Sequence, residues 1–462
     1  MKKLRFLIAL WGGKLALWLW KLTGHTRDDK PGMVSMRFCP DFLEMVKKPE
    51  LTICVTGTNG KTTISNMLAD SLRALGYTVS FNDWGANHHA GQARCLLDAV
   101  NIFNRSTKQV AVIEVDELSS PRNISQLKPQ YIVINNVARD SMYRNANPEY
   151  IQYRLNRATK GSPDSVVVLC SDDPICSRIG EQNRRVYFGV TDCKTNPFDT
   201  LADDFPICPV CGSKPEFTYR NYRSMGEFYC TGCSFKTPKR DYFVESVSKE
   251  NNTLTIKDKD GSFEYPLISS AIHNIYNSAA IIATLRDLGI SPSDISETLK
   301  GIQPPVSREG NQTVCGVEII TQLAKTQNGT AVSTVFENIN KDEGNKLILM
   351  VTDETFDNTR NYETMAWIYD TDYEFLNDEK IKRIVIGGDR YLDHRLRFRL
   401  AGIGEDKVIC VPKHMEVLDY ADLDGIDKVY VIYDIYTAQL GRDVRDAVKE
   451  RIMKERGYSN EN

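Results

Sequence analysis

The chain has 462 residues and a mass of 52.4 kDa, enough for about two to four domains that each bury a core. Its 58 basic and 61 acidic residues leave a net charge of −3, so no overall field draws it to nucleic acid or anionic lipid. Eight of its twelve cysteines follow no framework spacing, which favours reduced thiols in a cytoplasmic protein: 39, 54, 95, 170, 176, 193, 315 and 410.

Residues 1–45 are predicted to be a lead segment, and the first 22 are rich in Leu and Trp. Arg5, Lys14 and Lys21 interrupt this apolar run and Gly12-Gly13 breaks it, whereas a membrane-spanning helix needs about 20 mostly uncharged residues. We therefore expect an amphipathic segment that lies in a membrane interface, at the inner face of the cell membrane, or packs on the protein. A membrane span and disorder are the alternatives.

The stretch Thr56–Thr63 reads TGTNGKTT and follows the apolar run 51–55, which is typical of a buried strand. Gly57 and Gly60 let the backbone approach an anion, Lys61 supplies a positive charge, and the Thr62 hydroxyl suits Mg²⁺. A helix over about 62–75 would direct its first amides at the same phosphates, with Gly76 as its C-cap. The general motif would have glycine where the chain has Val55, so the match is partial.

Further apolar runs alternate with polar or helical stretches and predict parallel strands covered on both faces. A hairpin is expected at Asp258–Gly261, between two weakly alternating runs, followed by a helix over about 274–288. The runs before the hairpin are Tyr77–Phe81, Val110–Val115, Tyr131–Asn135, Ser165–Cys170 and Arg185–Gly189.

A proline-rich stretch at 303–307 predicts a domain boundary near 305, with a second α/β cycle beyond it. The domains would thus span 46–304 and 305–462, and both are predicted to be α/β. The helix 391–401 is expected between strands of the second domain, which are Val317–Thr321, Lys346–Val351, Ile384–Ile386, Lys407–Val411 and Val429–Tyr433.

Four cysteines, Cys208, Cys211, Cys230 and Cys233, form a C-x₂-C…C-x₂-C pattern with 18 residues between the pairs. Four thiolates at this spacing close a tetrahedral Zn²⁺ site with no open position for water, which predicts a structural metal in an inserted ribbon over about 203–241. Nucleic-acid binding by the ribbon is the alternative, but no basic cluster extends beyond the insert.

The loop TGTNGKTT resembles the ATP-binding loop of the Mur ligase superfamily. With the segments that follow it in order, the chain resembles more narrowly the MurT family, the Mur-ligase-like subunits of lipid II isoglutaminyl synthase. The resemblance covers about residues 30–440, and 135–141 and 323–329 depart from the family pattern. The matching segments are Glu114–Glu117, Asn136–Asp140, Ser171–Pro174, the four-cysteine ribbon, His273–Asn277, Asp357–Asp370, Gly388–Asp393 and Tyr436–Ala438.

This resemblance implies a central P-loop ATPase domain with the zinc ribbon inserted, and a C-terminal Rossmann-like domain. The implied reaction is ATP-dependent amidation of the D-glutamate α-carboxylate in the stem peptide of lipid II, through an acyl phosphate. Because the carboxylate must first gain a good leaving group, the residues would position ATP and neutralise its charge. The expected ATP-binding residues are Thr58, Asn59, Gly60, Lys61, Thr62, Thr63, Asn274, Asn277 and Arg308.

Glu114 is predicted to be a second Mg²⁺ ligand beside Thr62, with Asp116 and Glu117 as close alternatives. The alternative without a function is that Glu114 is a surface carboxylate at the end of a strand. Asn274 and Asn277 would hydrogen-bond the adenine or ribose unless they cap a helix. Arg308 and Lys325 would contact the phosphates or be solvated charges. The pair His88-His89 is a weaker candidate for the acceptor site.

None of the twelve cysteines has the G-x-C-x-G flanks of a glutaminase nucleophile, so another chain must supply ammonia. The resemblance implies a class I glutamine amidotransferase partner, GatD, docked on the C-terminal domain. It also implies that an acidic residue here orients the partner's catalytic histidine. Asp370 matches best and Asp372 is second, while the alternative is an aspartate that satisfies a helix or turn.

Two other functions remain open from the sequence alone. One is a Mur-type ligase that joins an amino acid to a peptide or folate without a glutaminase. The other is a non-enzymatic zinc-ribbon protein with a decayed loop, against which the intact Lys61, Thr62 and Glu114 argue.

Overall fold

The computed structural model describes residues 2–24, 29–82, 86–140, 147–194, 201, 203–302, 311–324, 326, 328–352, 366–434 and 436–456. They form two compact units, the first mainly from the chain up to residue 305 and the second mainly from the chain from residue 306 onward. Arg139, Asp140 and Leu201 belong to the second unit. The domain limits 1–45, 46–304 and 305–462 stay predictions, and the proline-rich stretch 303–307 lies outside the described residues.

The helices of the described chain are α1 (Lys2–Leu22), α2 (Lys30–Phe38), α3 (Phe42–Met45), α4 (Lys61–Ala74), α5 (His89–Ala99), α6 (Ser120–Leu127), α7 (Pro148–Lys160), α8 (Ile272–Asp287), α9 (Pro292–Lys300), α10 (Gly329–Lys341), α11 (Ala366–Tyr369), α12 (Tyr391–Leu400) and α13 (Ala438–Glu455). The strands are β1 (Leu51–Thr56), β2 (Val79–Phe81), β3 (Val110–Glu114), β4 (Tyr131–Ile134), β5 (Val166–Cys170), β6 (Arg184–Val190), β7 (Pro215–Tyr222), β8 (Met225–Cys230), β9 (Tyr242–Ser248), β10 (Thr253–Asp258), β11 (Gly261–Pro266), β12 (Gln312–Val314), β13 (Val317–Leu323), β14 (Lys346–Val351), β15 (Ile381–Gly387), β16 (Val408–Val411) and β17 (Lys428–Tyr433).

The first unit is built on one sheet with the strand order β11-β10-β9-β6-β5-β4-β1-β3-β2. Strands β1 to β6 are parallel, and their central members are buried on both faces, as the continuous Val/Ile runs predict. The sheet then becomes mixed, because β9, β10 and β11 form an antiparallel meander with the predicted hairpin at Asp258–Gly261. Strand β9 was not predicted from the sequence.

The loop after β1 leaves the sheet where the strand order reverses. From β1 the chain passes to β2 and β3 on one side and then to β4 on the other. In register, Val55 faces Glu114 of β3 and Thr56 faces Ile134 of β4. The residues after β1, β3 and β4 therefore share one edge, the usual position of a ligand site in an open α/β sheet.

The N-terminal helices pack on the first unit, with α1 contacting α2, α3 and α5. Phe6, Leu10 and Leu17 of α1 are part of the main core. Ser35 of α2 donates a hydrogen bond to the Ala9 carbonyl at 2.9 Å, where Gly13 leaves room for the close approach of the helices. Helix α1 is thus a packed element and not a disordered one. Within the described residues, every helix is too short or too polar to cross a membrane.

The inserted ribbon consists of the antiparallel hairpin β7–β8 and the loops that carry the four cysteines. Its interior is a cluster of phenylalanines in which Phe228 contacts Phe205, Phe217 and Phe235, with ring centroids 5.2 to 6.2 Å apart. Arg240 fixes the ribbon to the sheet by donating to the buried Asp172 at 3.0 Å. The ribbon is therefore a packed part of the first unit.

The second unit has a six-stranded sheet with the order β12-β13-β17-β14-β15-β16. All neighbouring pairs are parallel except the edge pair of β12 and β13. The five strands predicted for this half are present, and Ile384–Ile386 is the centre of the longer β15. Asn328 begins α10 by accepting a hydrogen bond from the Ala331 amide at 2.9 Å, as an N-cap does.

Candidate active site

The loop between β1 and α4 is built on two glycines with left-handed backbone angles. Gly57 has a φ of 111° and Gly60 has a φ of 87°, and residues other than glycine rarely adopt such angles. A Cβ on Gly57 would lie 2.8 Å from the Asn136 carbonyl oxygen. A Cβ on Gly60 would overlap the side-chain oxygen of Asn277 and lie 2.8 Å from the side-chain nitrogen of Asn135. Only glycine fits these positions, and the result is a loop that ends at the N-terminus of a helix.

Lys61 is the first residue of α4, and its ammonium group folds back over the loop. It donates to the Gly57 carbonyl at 2.6 Å, to the Thr58 carbonyl at 3.0 Å and to the Glu117 carboxylate at 2.6 Å. Its side chain is only 12% exposed, so Lys61 does not face the solvent. The neighbouring Thr62 is exposed and Thr63 is partly buried.

The carboxylate that holds Lys61 belongs to Glu117, whose side chain is 1% exposed. Burial raises the pKa of Glu117, and the nearby Lys61 ammonium opposes that shift. The two charges therefore depend on each other, because either one alone would be a buried charge without compensation.

Two asparagines after β4 hold the loop in shape. Asn136 accepts from the Asn59 amide at 2.9 Å and donates to the Asn59 carbonyl at 3.0 Å. The Thr58 hydroxyl and the Ala138 amide are 3.0 Å apart and hydrogen-bonded. Asn135 donates to Asn277 at 2.9 Å. The segment 135–138 is thus the frame on which the phosphate loop rests.

Asp173 fixes this frame from behind. Its carboxylate is buried and accepts from the backbone amides of Val137 at 2.6 Å, Ile175 at 2.8 Å and Cys176 at 3.0 Å. Burial raises the pKa of Asp173 to about 6. The preceding Asp172 instead binds Arg240 and the Tyr276 hydroxyl, so the Ser171–Pro174 segment acts as scaffold.

Glu114 ends β3 and is buried, with an exposed fraction of 1%, so it is not a surface carboxylate. Its Oε1 accepts from Asn87 at 3.2 Å, while its Oε2 is buried and has no hydrogen-bond partner among the described residues. The alternatives are engaged elsewhere, since Glu117 binds Lys61 and Asp116 accepts from the Leu118 amide at 3.1 Å. An unpartnered buried carboxylate oxygen fits a divalent cation.

Asn274 and Asn277 lie on the first turns of α8, and neither caps it, because the N-cap position is Ala271. Asn277 is buried, donates to Asn274 at 3.2 Å and receives the Asn135 hydrogen bond described above. The structure thus brings both asparagines to the phosphate loop. Arg308 and Lys325 lie outside the described residues.

The histidine pair lies at the start of α5. His88 precedes α5 and bonds the Asp29 carboxylate at 2.5 Å. His89 is the first residue of the same helix, and burial lowers its pKa. His88 is thus engaged by Asp29, whereas the Nε2 of His89 is buried with no hydrogen-bond partner among the described residues.

The four ribbon cysteines converge, and their sulfurs all lie within 4.8 Å of one another. Cys208 and Cys233 have sulfurs 3.7 Å apart, and those of Cys211 and Cys230 are 3.3 Å apart. Both distances are too long for a disulfide, whose S–S bond is about 2.05 Å. They suit thiolates that each lie about 2.3 Å from one tetrahedral Zn²⁺.

In the second unit, Asp370 follows α11 and pairs with Arg139 at 3.0 Å, with its side chain 26% exposed. Asp372 is buried and accepts from the Leu201 amide at 2.6 Å. The buried Arg397 of α12 fixes this turn by donating to the carbonyls of Ile368 at 3.2 Å and Thr371 at 2.8 Å. Of the two candidates, Asp370 is the accessible one.

Sequence reasoning missed three parts of the site: the Lys61–Glu117 pair, the frame of Asn135 and Asn136, and the support by Asp173. A signal for them was available, since all follow predicted strands, whose carboxyl ends share one edge of a parallel sheet. The spacing of these residues in the sequence does not predict which of them form hydrogen bonds or ion pairs with one another.

Two family models match the chain. Residues 55–200 match the Mur ligase middle domain, and residues 325–439 match the MurT ligase C-terminal domain. The MurT subunit of lipid II isoglutaminyl synthase from Staphylococcus aureus (strain COL) is 28% identical over 84% of this chain and 86% of its own. The MurT subunit from Streptococcus pneumoniae is 26% identical over 89% and 90%.

The chain is therefore similar to MurT subunits over most of its length. Solved Mur-type ligases share the fold: a pseudomurein peptide ligase type C from Methanothermus fervidus aligns with a TM-score of 0.63 and 20% identity, over 89% of this chain and 81% of that one. MurF from Acinetobacter baumannii aligns with a TM-score of 0.63 and 16% identity, over 89% and 80%. The chain is an ATP-dependent ligase, as predicted, and its likeness to Mur ligases implies ATP and Mg²⁺.

Proposed function

We propose that the chain is the synthetase subunit of a lipid II isoglutaminyl synthase. It would convert the α-carboxylate of D-glutamate in lipid II to the carboxamide of D-isoglutamine, with ATP and with ammonia from a glutaminase partner. The observation that carries the proposal is the match of residues 325–439 to the MurT ligase C-terminal domain, in a chain that also has the phosphate loop at 56–63. The loop alone would support any Mur-type ligase.

The reaction has two steps. The substrate carboxylate attacks the γ-phosphorus of ATP, which releases ADP and forms an acyl phosphate. Ammonia then attacks the acyl carbon, a proton leaves the nitrogen, and phosphate departs as the C–N bond forms. Neither step needs a covalent bond to the protein, so its contribution is orientation and charge stabilisation.

The residues of the loop are suited to these tasks. The first amides of α4 and the Lys61 ammonium would hold the phosphates once ATP draws Lys61 away from the Gly57 and Thr58 carbonyls. Thr62 and Glu114 would hold Mg²⁺, which neutralises charge on the phosphates. Asn274 and Asn277, next to the loop, would bind the nucleoside. Thr58, Asn59, Gly60 and Thr63 complete the cradle.

In the ribbon, Cys208, Cys211, Cys230 and Cys233 would bind one structural Zn²⁺. The Gly232 amide donates to the Cys230 sulfur at 3.3 Å, an orientation that also stabilises a thiolate. With four sulfur ligands the metal has no place for water, so it would stabilise the ribbon and take no part in the reaction.

The nitrogen source would be another protein, since none of the twelve cysteines has the flanks of a glutaminase nucleophile. Burial raises the pKa of the Cys54, Cys170 and Cys176 thiols, which makes them poor nucleophiles. The partner would be a class I glutaminase, GatD. Asp370 would orient its catalytic histidine, as its exposure and its rigid turn allow, whereas the buried Asp372 would be structural.

Asp370→Asn in the complex with the glutaminase tests this arrangement. We expect loss of glutamine-dependent amidation and full retention of ammonia-dependent amidation, because only the partner's histidine loses its carboxylate. Asp422→Asn, an exposed carboxylate paired with Arg383 in the same unit, is the control that should change neither activity.

Equal loss with both nitrogen donors would contradict the role of Asp370. An amino-acid-dependent ATPase without any glutaminase would instead support the ordinary Mur-type ligase. Absence of ATP binding would support the non-enzymatic ribbon protein.

A further inference from the structure

Helix α1 has a second apolar face, opposite the one that packs on the protein. Its members recur at alternating spacings of four and three residues, which places them in one row along the helix. Each is between 44% and 66% exposed: Leu4, Ile8, Trp11, Leu15, Trp18 and Leu22. We call this row the exposed stripe.

The exposed stripe lies outside the core of the first unit. The buried side of α1, with Phe6, Leu10 and Leu17, already contacts the core. A continuous apolar row of this length on a protein surface marks a place where another surface binds, since scattered single residues would be the ordinary pattern.

A neighbouring loop extends the stripe. The Trp11 indole nitrogen donates to the Ile102 carbonyl at 3.0 Å, which holds residues 102 and 103 beside the helix. Ile102 is 54% exposed and Phe103 is 73% exposed. The apolar surface is therefore broader than one helix.

The charges of α1 are all positive. Five of its residues are Lys or Arg and none is acidic. At 100° per residue, Lys3, Lys14 and Lys21 fall along one border of the stripe and Arg5 falls along the other. Lys14 is half-buried and donates to the Val100 carbonyl, and Lys21 pairs with Asp98 at 3.1 Å. Lys3 and Arg5 are exposed and form no ion pair within the described residues, so they are basic groups available to a ligand.

We propose that the exposed stripe of α1 binds the surface of an anionic phospholipid bilayer, with the helix lying parallel to the membrane plane. An apolar row with basic borders matches acyl chains below and phosphate headgroups beside them. Trp11 and Trp18 add indole rings, which favour the membrane interface. The packed opposite face keeps α1 on the protein. The net charge of −3 does not oppose this, because the positive charge is local.

The proposal is independent of the amidation reaction and is tested without lipid II. The full chain is incubated with vesicles of phosphatidylglycerol and phosphatidylcholine, and the bound fraction is measured by sedimentation. Leu4→Ser with Leu15→Ser should weaken binding at least tenfold, and Lys3→Gln with Arg5→Gln should weaken it several-fold. Pure phosphatidylcholine vesicles should bind at least tenfold more weakly than the mixture.

The matched control replaces two exposed leucines on a different helix. Leu392→Ser with Leu400→Ser takes two leucines, 58% and 62% exposed, from α12 and should leave binding unchanged. Brominated acyl chains should quench tryptophan fluorescence in the wild type, and less in Trp11→Phe with Trp18→Phe, which reports contact by the stripe itself.

Three results would overturn the proposal. Wild-type protein that does not bind the anionic vesicles excludes a membrane as the occupant. Equal binding by the stripe variant and its control would assign binding to another surface. Self-association of the wild type, lost in Leu4→Ser with Leu15→Ser and combined with no vesicle binding, would assign the stripe to a second copy of the chain.

Discussion

Replacing Lys61 tests the loop most sharply, because the structure predicts two separable effects. Lys61→Ala should abolish ATP-dependent turnover, since the phosphates lose their fixed positive charge. It should also destabilise the first unit, because Glu117 is left buried without its ammonium partner. A solvent-facing lysine would produce only the first effect.

The loss of stability has an upper bound set by protonation. An isolated glutamate has a pKa of about 4.3, so keeping it neutral at pH 7 costs about 3.7 kcal/mol at ~1.4 kcal/mol per pH unit. At pH 5 the same cost is about 1 kcal/mol. Burial raises the pKa of Glu117 in the folded state. The destabilisation of the folded state by this buried carboxyl is therefore present at pH values above the pKa of the unfolded state, and it disappears as the pH falls below that pKa. The destabilisation by Lys61→Ala should therefore shrink on acidification.

The assay is urea denaturation at pH 7 and pH 5, followed by tryptophan fluorescence, since four of the five tryptophans, at 11, 18, 20 and 84, precede residue 305. Lys61→Ala with Glu117→Gln should regain most of the stability but none of the turnover, because the buried charge is gone. Lys300→Ala, an exposed lysine paired with Glu297, is the control and should cost under about 1 kcal/mol. Equal losses at both pH values, or no rescue by Glu117→Gln, would refute the reasoning.

Two further variants test the ribbon and the frame. Purified protein should hold about one zinc per chain by metal analysis, and Cys230→Ser should lose it and loosen the ribbon; native protein with four freely alkylated ribbon thiols and no metal would contradict this. Asp173→Asn should cost about 1–3 kcal/mol and weaken ADP binding in calorimetry, because an amide cannot accept from both Val137 and Ile175. The exposed Asp164→Asn should do neither, and unchanged ADP affinity in Asp173→Asn would separate Asp173 from the loop.

Much of the fold could be predicted because its signals are local. Continuous apolar runs such as 346–351 are strands that both faces of a sheet bury, and the two glycines of the loop are required by its backbone angles. Strand β9 was missed because its alternating, half-buried pattern lies directly after the ribbon. The spacing of the cysteines predicted their convergence, which the sulfur distances confirm.

The candidate site was less predictable because its polar partners are distant in sequence. Glu117 lies 56 residues from Lys61, and Asn277 lies 142 residues from Asn135. The sequence shows that each of these residues is polar and lies at the end of a strand or helix. It does not show which side chain each residue hydrogen-bonds or which charge it compensates. The sequence also does not tell which side chains are exposed, and exposure is what distinguishes Asp370, which is partly exposed, from the buried Asp372.

The central claim is that this chain amidates a carboxylate with ATP and receives ammonia from another protein. Its most direct test is incubation of the chain alone with lipid II, ATP and Mg²⁺, with either ammonium or glutamine as nitrogen source, followed by mass spectrometry of the stem peptide. We expect one carboxyl group to become a carboxamide with excess ammonium and no change with glutamine until the glutaminase is added. Amidation by the isolated chain with glutamine, or none under any of these conditions, would contradict the account.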